Sequence, residues 1–177
     1  MTDLFHYLAR DTLKDGTKVT VRAIRASDAP AILEAFSQLD RESVYRRFFS
    51  PKKELSDAEL RQLTEVDFHQ VTALVVTTER DGLETLIGGG RFAALASEQP
   101  QSAELAFLTA ADYRGRGVAG LILRHLTSLA REAGITQFEA DVLAENRTML
   151  DVLQHSGLTI RQKRDGNVVH LTLTLQH

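Results

Sequence analysis

Residues 113–120 read Tyr113-Arg114-Gly115-Arg116-Gly117-Val118-Ala119-Gly120, after the apolar run Leu105 to Leu108 and ahead of a long helical pattern. Glycine lets a backbone approach an anion closely. The N–H groups of a helix's first turn have no intrahelical partner, and the helix dipole adds partial positive charge there. Two glycines and two arginines at a helix entry therefore suit a phosphate site. The helix itself is predicted by Val118, Ile122, Leu126, Leu129 and Ala133, spaced by threes and fours, with Gly134 to stop it.

Gly115-Arg116-Gly117-Val118-Ala119-Gly120 satisfies G-x-G-x-x-G, the dinucleotide fingerprint, and an acidic residue (Glu139 or Asp141) follows on the next strand. This would make the chain a nicotinamide dehydrogenase. Three features count against it. The glycines should follow the strand directly, yet Thr109 to Arg114 intervene. Too few residues remain after Asp141 to complete a doubly wound sheet. Upstream, strands succeed one another instead of alternating with helices.

Read as Arg114-x-x-Gly117-x-Ala119, the loop resembles the pyrophosphate-binding loop of the GCN5-related N-acetyltransferases (GNAT). Further segments resemble that family in register. Ala103 to Leu108 is similar to its fourth strand, Phe138 to Leu143 to its fifth, and Glu145 to Leu150 to the start of its fourth helix. Leu39 to Phe49 is similar to a segment of the acetyltransferase domain in bacterial protein-lysine acetyltransferases. The resemblance spans roughly residues 17–177. It implies an α/β (α+β) fold in which a mixed, mostly antiparallel sheet is flanked by helices, with acetyl-CoA as cosubstrate at the splayed fourth and fifth strands.

The bulk composition bounds what else is possible. A chain of 177 residues, 43% hydrophobic, suits one globular domain over residues 1–177. A net charge of −3 does not favour generic nucleic-acid binding. The absence of cysteine removes disulfides, thiolate ligands and a cysteine nucleophile. The six histidines are scattered, with no expected carboxylate–histidine cluster and hence no expected metal. Neither a signal peptide nor a membrane span is apparent, so a cytoplasmic protein is expected. The sequence is silent on oligomeric state.

Along the chain, His6 to Leu13 and Thr17 to Ile24 flank Lys14-Asp15-Gly16 as a hairpin. Ser27 or Asp28 caps a helix through Leu39, and Ser56 or Asp57 caps another through about Glu65. Strands are expected at Val71 to Thr78 and Leu86 to Ala96, with Gly88-Gly89-Gly90 marking a bulge or a close backbone contact. Glu98 to Ser102 reads as a hairpin end. A helix from Arg147 to His155 and two strands around Asp165-Gly166-Asn167 complete the chain.

Acetyl transfer from a thioester to an amine needs a base for the amine proton, a donor for the developing oxyanion and a departing thiolate. A free alkylammonium has a pKa near 10.4, so a base is needed at neutral pH. Glu104 is the candidate. Alternation places it with Ala106 and Leu108, opposite Ala103, Leu105 and Phe107, and a carboxylate in an apolar strand is costly unless partnered or functional. The bland reading is a surface glutamate. The resemblance makes its strand a general-base position.

By resemblance, Phe107, Leu108 and Thr109 pair their backbone with the pantetheine arm, and an N–H near Leu108 polarises the carbonyl. Arg114, Gly115, Arg116, Gly117, Val118, Ala119 and Gly120 would hold the phosphates, although the two arginines also read as a solvated pair. Asn146 reads equally as a helix cap and, by resemblance, as a cofactor contact. The family's late tyrosine on the fourth helix has no counterpart in Leu150 to Leu158, so the general acid is unassigned. Tyr45, Phe48 and Phe49 read as core or as acceptor wall. The expected acceptor is a primary amine, with protein lysine ahead of small amines. A catalytically weak CoA-binding sensor is the reading from another class.

Overall fold

The computed structural model describes residues 4–37, 56, 58, 61, 64–68, 70–95, 101–110, 113 and 115–175. Tyr45, Phe48, Phe49, Arg114, most of the loop from 98 to 102 and much of the second expected helix lie outside these residues.

Strands β1 (Leu8–Thr12), β2 (Lys18–Ala23), β3 (Val71–Arg80), β4 (Leu83–Ala94), β5 (Ser102–Thr109), β6 (Gln137–Leu143), β7 (Thr159–Asp165) and β8 (Val168–Thr174) form one sheet in the order β1-β2-β3-β4-β5-β6-β8-β7. Every neighbouring pair is antiparallel except β5 and β6. A doubly wound parallel sheet is thereby ruled out, and with it the topology a dinucleotide fingerprint requires. The described helices of length are α1 (Ala29–Ser37), α2 (Val118–Glu132) and α3 (Arg147–Gln154).

On one face, α2 and α3 cover the main core. Val118, Ile122 and Leu126 of α2 and Leu153 of α3 are buried with Leu74, Val76, Phe92, Leu105, Phe138 and Leu171. On the other face, Ile32 of α1 packs on a smaller cluster containing Ala73 and Val75. The start of α1 is held by Arg22, whose Nη1 and Nη2 donate to the two oxygens of Asp28 at 2.9 and 2.7 Å. Asp28 also accepts from the Arg25 backbone N–H at 2.8 Å. The expected cap is therefore a buried ion-pair anchor, preceded by a short 3₁₀ turn at Ala26–Asp28.

The triple glycine performs both expected roles. Val76 pairs with Gly88 but Thr77 with Leu86, a bulge in β4. A Cβ on Gly88 would lie 2.7 Å from Val118 Cγ1, and one on Gly90 would lie 2.6 Å from Ile122 Cγ2. Only glycine lets α2 sit this close to β4. β3 and β4 also run further than expected, to a two-residue turn at Asp81 (φ 53) and Gly82 (φ 79), both left-handed as a type I′ hairpin requires.

Candidate active site

β5 follows β4 through seven paired residues but meets β6 through only three: Ser102↔Gln137, Ala103↔Phe138 and Glu104↔Glu139. Beyond Glu104 the parallel strands part, while β6 keeps its full pairing with β8. A cavity of about 500 Å³ occupies the gap. Its lining includes Glu104 and Asp141 from one face of the sheet, and Leu105, Phe107, Ala140 and Val142 from the other. Residues of both faces line this one cavity where the strands separate.

The expected site residues converge here. Glu104, Phe107, Leu108, Thr109, Gly115, Gly117, Val118, Ala119 and Asn146 line the cavity. Arg114 lies outside the described residues, and Arg116 and Gly120 are not among the lining residues. Gly115 (φ 74) and Gly117 (φ 91) take left-handed conformations that L side chains rarely adopt. Gly117 is the N-cap of α2 and has no side chain to cap it, so the first-turn N–H groups remain available to an anion. Gly120 has open space where a Cβ would stand, unlike the third fingerprint glycine, which serves close helix packing.

Arg116 has a different engagement from the expected one. Its Nε donates to Asp15 Oδ2 at 2.7 Å and its Nη2 to Thr17 Oγ1 at 2.8 Å, while the guanidinium lies 4.5 Å from the Tyr113 ring centroid. It ties the loop to the β1–β2 turn. The Thr17 and Arg116 hydrogen bonds bring Asp15 down to about 2. Asn146 caps α3, accepting from the Met149 N–H at 3.3 Å, and lines the cavity as well. Both readings of that residue are thus compatible with one geometry.

Glu104 is exposed, not set in an apolar interior, so the desolvation cost expected from sequence does not apply. It makes no hydrogen bond or ion pair with the described residues. Its alternation is as expected, with Ala103 and Leu105 buried on the opposite face.

A carboxylate–histidine cluster, which the sequence did not lead one to expect, stands beside it. His170 on β8 bonds through Nδ1 to Asp141 Oδ1 at 2.6 Å and through Nε2 to Glu139 Oε1 at 3.3 Å. The hydrogen bond to Asp141 raises the His170 pKa above its ordinary value; burial opposes this and Glu139 assists. The only sequence signal was Glu139 and Asp141 alternating with Phe138, Ala140 and Val142. The partner lies about 30 residues further on, so periodicity alone could not supply it. A second cluster joins Tyr7, His125 and Asp11: Tyr7 Oη to His125 Nδ1 at 2.6 Å, and His125 Nε2 to Asp11 at 3.5 Å.

The acetyltransferase (GNAT) domain family matches residues 18–159. The chain belongs to the GNAT acetyltransferase family. It is 32% identical over 162 residues to Acetyltransferase PA5475 of Pseudomonas aeruginosa, covering 90% of this chain and 86% of that one. The crystal structure of the GNAT domain of S. lividans PAT superposes with a TM-score of 0.85 at 33% identity, over 95% of this chain and 97% of that one. Acetyltransferase Pat of Mycolicibacterium smegmatis is 29% identical over 145 residues, 82% of this chain but 42% of that longer protein. This acetyltransferase thus has the fold its sequence resembles. Among its described residues no helix is long and apolar enough to cross a membrane.

Proposed function

We propose that the protein moves an acetyl group from acetyl-CoA to the side-chain amine of a protein lysine, as a single domain over residues 1–177 acting in the cytoplasm. The parting of β5 from β6 after Glu104, with a cavity in the gap, is the observation that carries this reading. Among the described residues no strand pairs with the β6-facing edge of residues 105–109, and an extended amide-bearing chain can complete it. The start of α2 lies at the same cavity, where its N–H groups and dipole favour a pyrophosphate. The residues present fit the cosubstrate.

In this reading Phe107, Leu108 and Thr109 hold the pantetheine arm through their main chain, and Gly115 to Gly120 hold the phosphates. A backbone N–H near Leu108 polarises the thioester carbonyl. Glu104, exposed and unpaired with the described residues, takes a proton from the ammonium so that the neutral nitrogen can attack the thioester carbonyl. Arg116 serves through its tie to Asp15 and Thr17, fixing the loop's shape. Helix α3 offers no tyrosine; Leu153 is fully buried there, and the thiolate leaves with solvent assistance.

The similarity of residues 39–49 to a segment of protein-lysine acetyltransferases supports a protein lysine as acceptor. The test compares lysine-containing proteins and peptides with polyamines and aminoglycosides at matched concentration, reading free thiol. Faster turnover on proteins is expected. Faster turnover on any small amine, with negligible turnover on protein, rejects the lysine assignment. The missing tyrosine favours a second reading, a CoA-binding regulatory module, which binding of acetyl-CoA without transfer to any amine would establish.

A further inference from the structure

The register of β5 and β6 makes Glu104 and Glu139 neighbours on one sheet face, and Asp141 follows on that face one pleat along. Adjacent strands lie roughly 5 Å apart. Two cations stand near these carboxylates on that face: His170, across β6 from Glu104, and Arg91 of β4, whose register partner Ala106 shares the face of Glu104. Both ring nitrogens of His170 approach carboxylate oxygens, at 2.6 and 3.3 Å, a geometry that suits the doubly protonated imidazolium. Lys163, the register partner of His170 on β7, faces it and is exposed. On the same face Arg161 stands opposite Thr172 on one side and Asp165 opposite Val168 on the other.

We propose that His170 is a positioning residue for acetyl transfer: by bonding Asp141 and Glu139 it fixes a positive charge across β6 from Glu104, and so helps to set the pH range over which Glu104 accepts the amine's proton. This rests on Glu104 being the base. His170 need not touch substrate. It acts through β6, holding the Asp141 carboxylate at the cavity wall and Glu139 next to Glu104. Without the imidazolium, the Glu139 and Asp141 carboxylates near the base would lose their histidine partner. A more negative setting holds a proton more tightly, so Glu104 would stay protonated to higher pH.

The test measures kcat/KM for a lysine-containing peptide across pH in wild type, His170→Gln, His170→Lys and Glu104→Gln, with acetyl-CoA binding by each variant checked separately. In wild type the acid limb reports the base of the free enzyme. In His170→Gln that limb should move up by roughly half a unit to one unit. Activity on the acid side then falls roughly 3- to 10-fold while the high-pH plateau is kept. His170→Lys, which restores a charge without the double hydrogen bond, should keep the limb near wild type. Glu104→Gln should lose it. A His170→Gln limb superimposed on wild type, or equal displacement in the Gln and Lys variants, overturns the proposal while Glu104 stands. A wild-type limb persisting in Glu104→Gln removes the base assignment itself, and the proposal with it.

Discussion

The two edges of β5 behave differently. Towards β4 the strand is closed, with seven consecutive pairs continued by the Ala110 N–H donating to the Ile87 carbonyl at 2.9 Å. Towards β6 it is open after three pairs. Each central strand follows its antiparallel partner, β5 with β4 and β6 with β8. Parallel pairing is slightly weaker per residue, and the parallel seam is the one that yields. The glycines lie on the closed side, where Gly88 and Gly90 admit α2. The chemistry gathers on the open side. A fully paired backbone is a wall, whereas one left unpaired at a cavity is a binding surface.

The largest expected effect breaks the open side. Glu104→Gln keeps shape and polarity but cannot take the proton, so turnover at neutral pH should fall by roughly 10²–10⁴, the usual worth of a positioned base. Acetyl-CoA affinity should barely change, and the loss should lessen at high pH as more amine is already neutral. Retention of most activity at neutral pH would place the base elsewhere.

Next comes the anion end of the same gap. Acetyl-CoA at 100 times its Kd should stabilise the wild-type fold by about 2.7 kcal/mol in thermal unfolding. Gly117→Val, forced into a left-handed conformation at the α2 N-cap, should abolish that gain. NAD(P) should give none with either protein. Undiminished stabilisation of the variant would detach the loop from the ligand.

The closed side is probed by Gly90→Val. Its Cβ would stand 2.6 Å from Ile122 Cγ2 and 2.9 Å from Phe107 Cδ1, an overpacking that costs about 1–3 kcal/mol. Chemical denaturation should show that loss. Wild-type stability would mean that α2 can move off β4 at little cost.

The smallest effect contrasts a histidine on the covered side with the one on the open side. Burial lowers the pKa of His125, against the pull of Asp11. Its contribution to stability is present above the unfolded value near 6.5 and is lost as pH falls through the folded value. His170 is raised, so its contribution is present below about 6.5 and is lost as pH rises through the folded value. Stability–pH curves of His125→Gln and His170→Gln, each subtracted from wild type, should therefore slope in opposite directions. Equal slopes would contradict the two environments.

Much of this arrangement was legible in the sequence because it is local. The three-and-four spacing from Val118 to Ala133, the glycine stop and the Asp165-Gly166-Asn167 turn each depend on neighbours in the chain, and the structure has them within a residue or two. The polar Glu79 and Arg80 hid the extension of β3, although Asp81-Gly82 carried the turn signal. Alternation gave the face of Glu104 but not its exposure, since which face a helix covers is a tertiary fact. The tie of Arg116 to Asp15 spans 101 residues, and the His170 cluster joins two strands paired only in the fold. Such contacts leave no periodic trace.

The central claim is that the unpaired stretch of β5 receives acetyl-CoA, and amide hydrogen exchange tests it most directly. With acetyl-CoA bound, exchange at residues 105–109 and at the first turn of α2 should slow markedly. Strands β7 and β8 should be unaffected, and NAD should produce no such protection. Acetyl-CoA binding with unchanged exchange at 105–109, or equal protection by NAD, would contradict it.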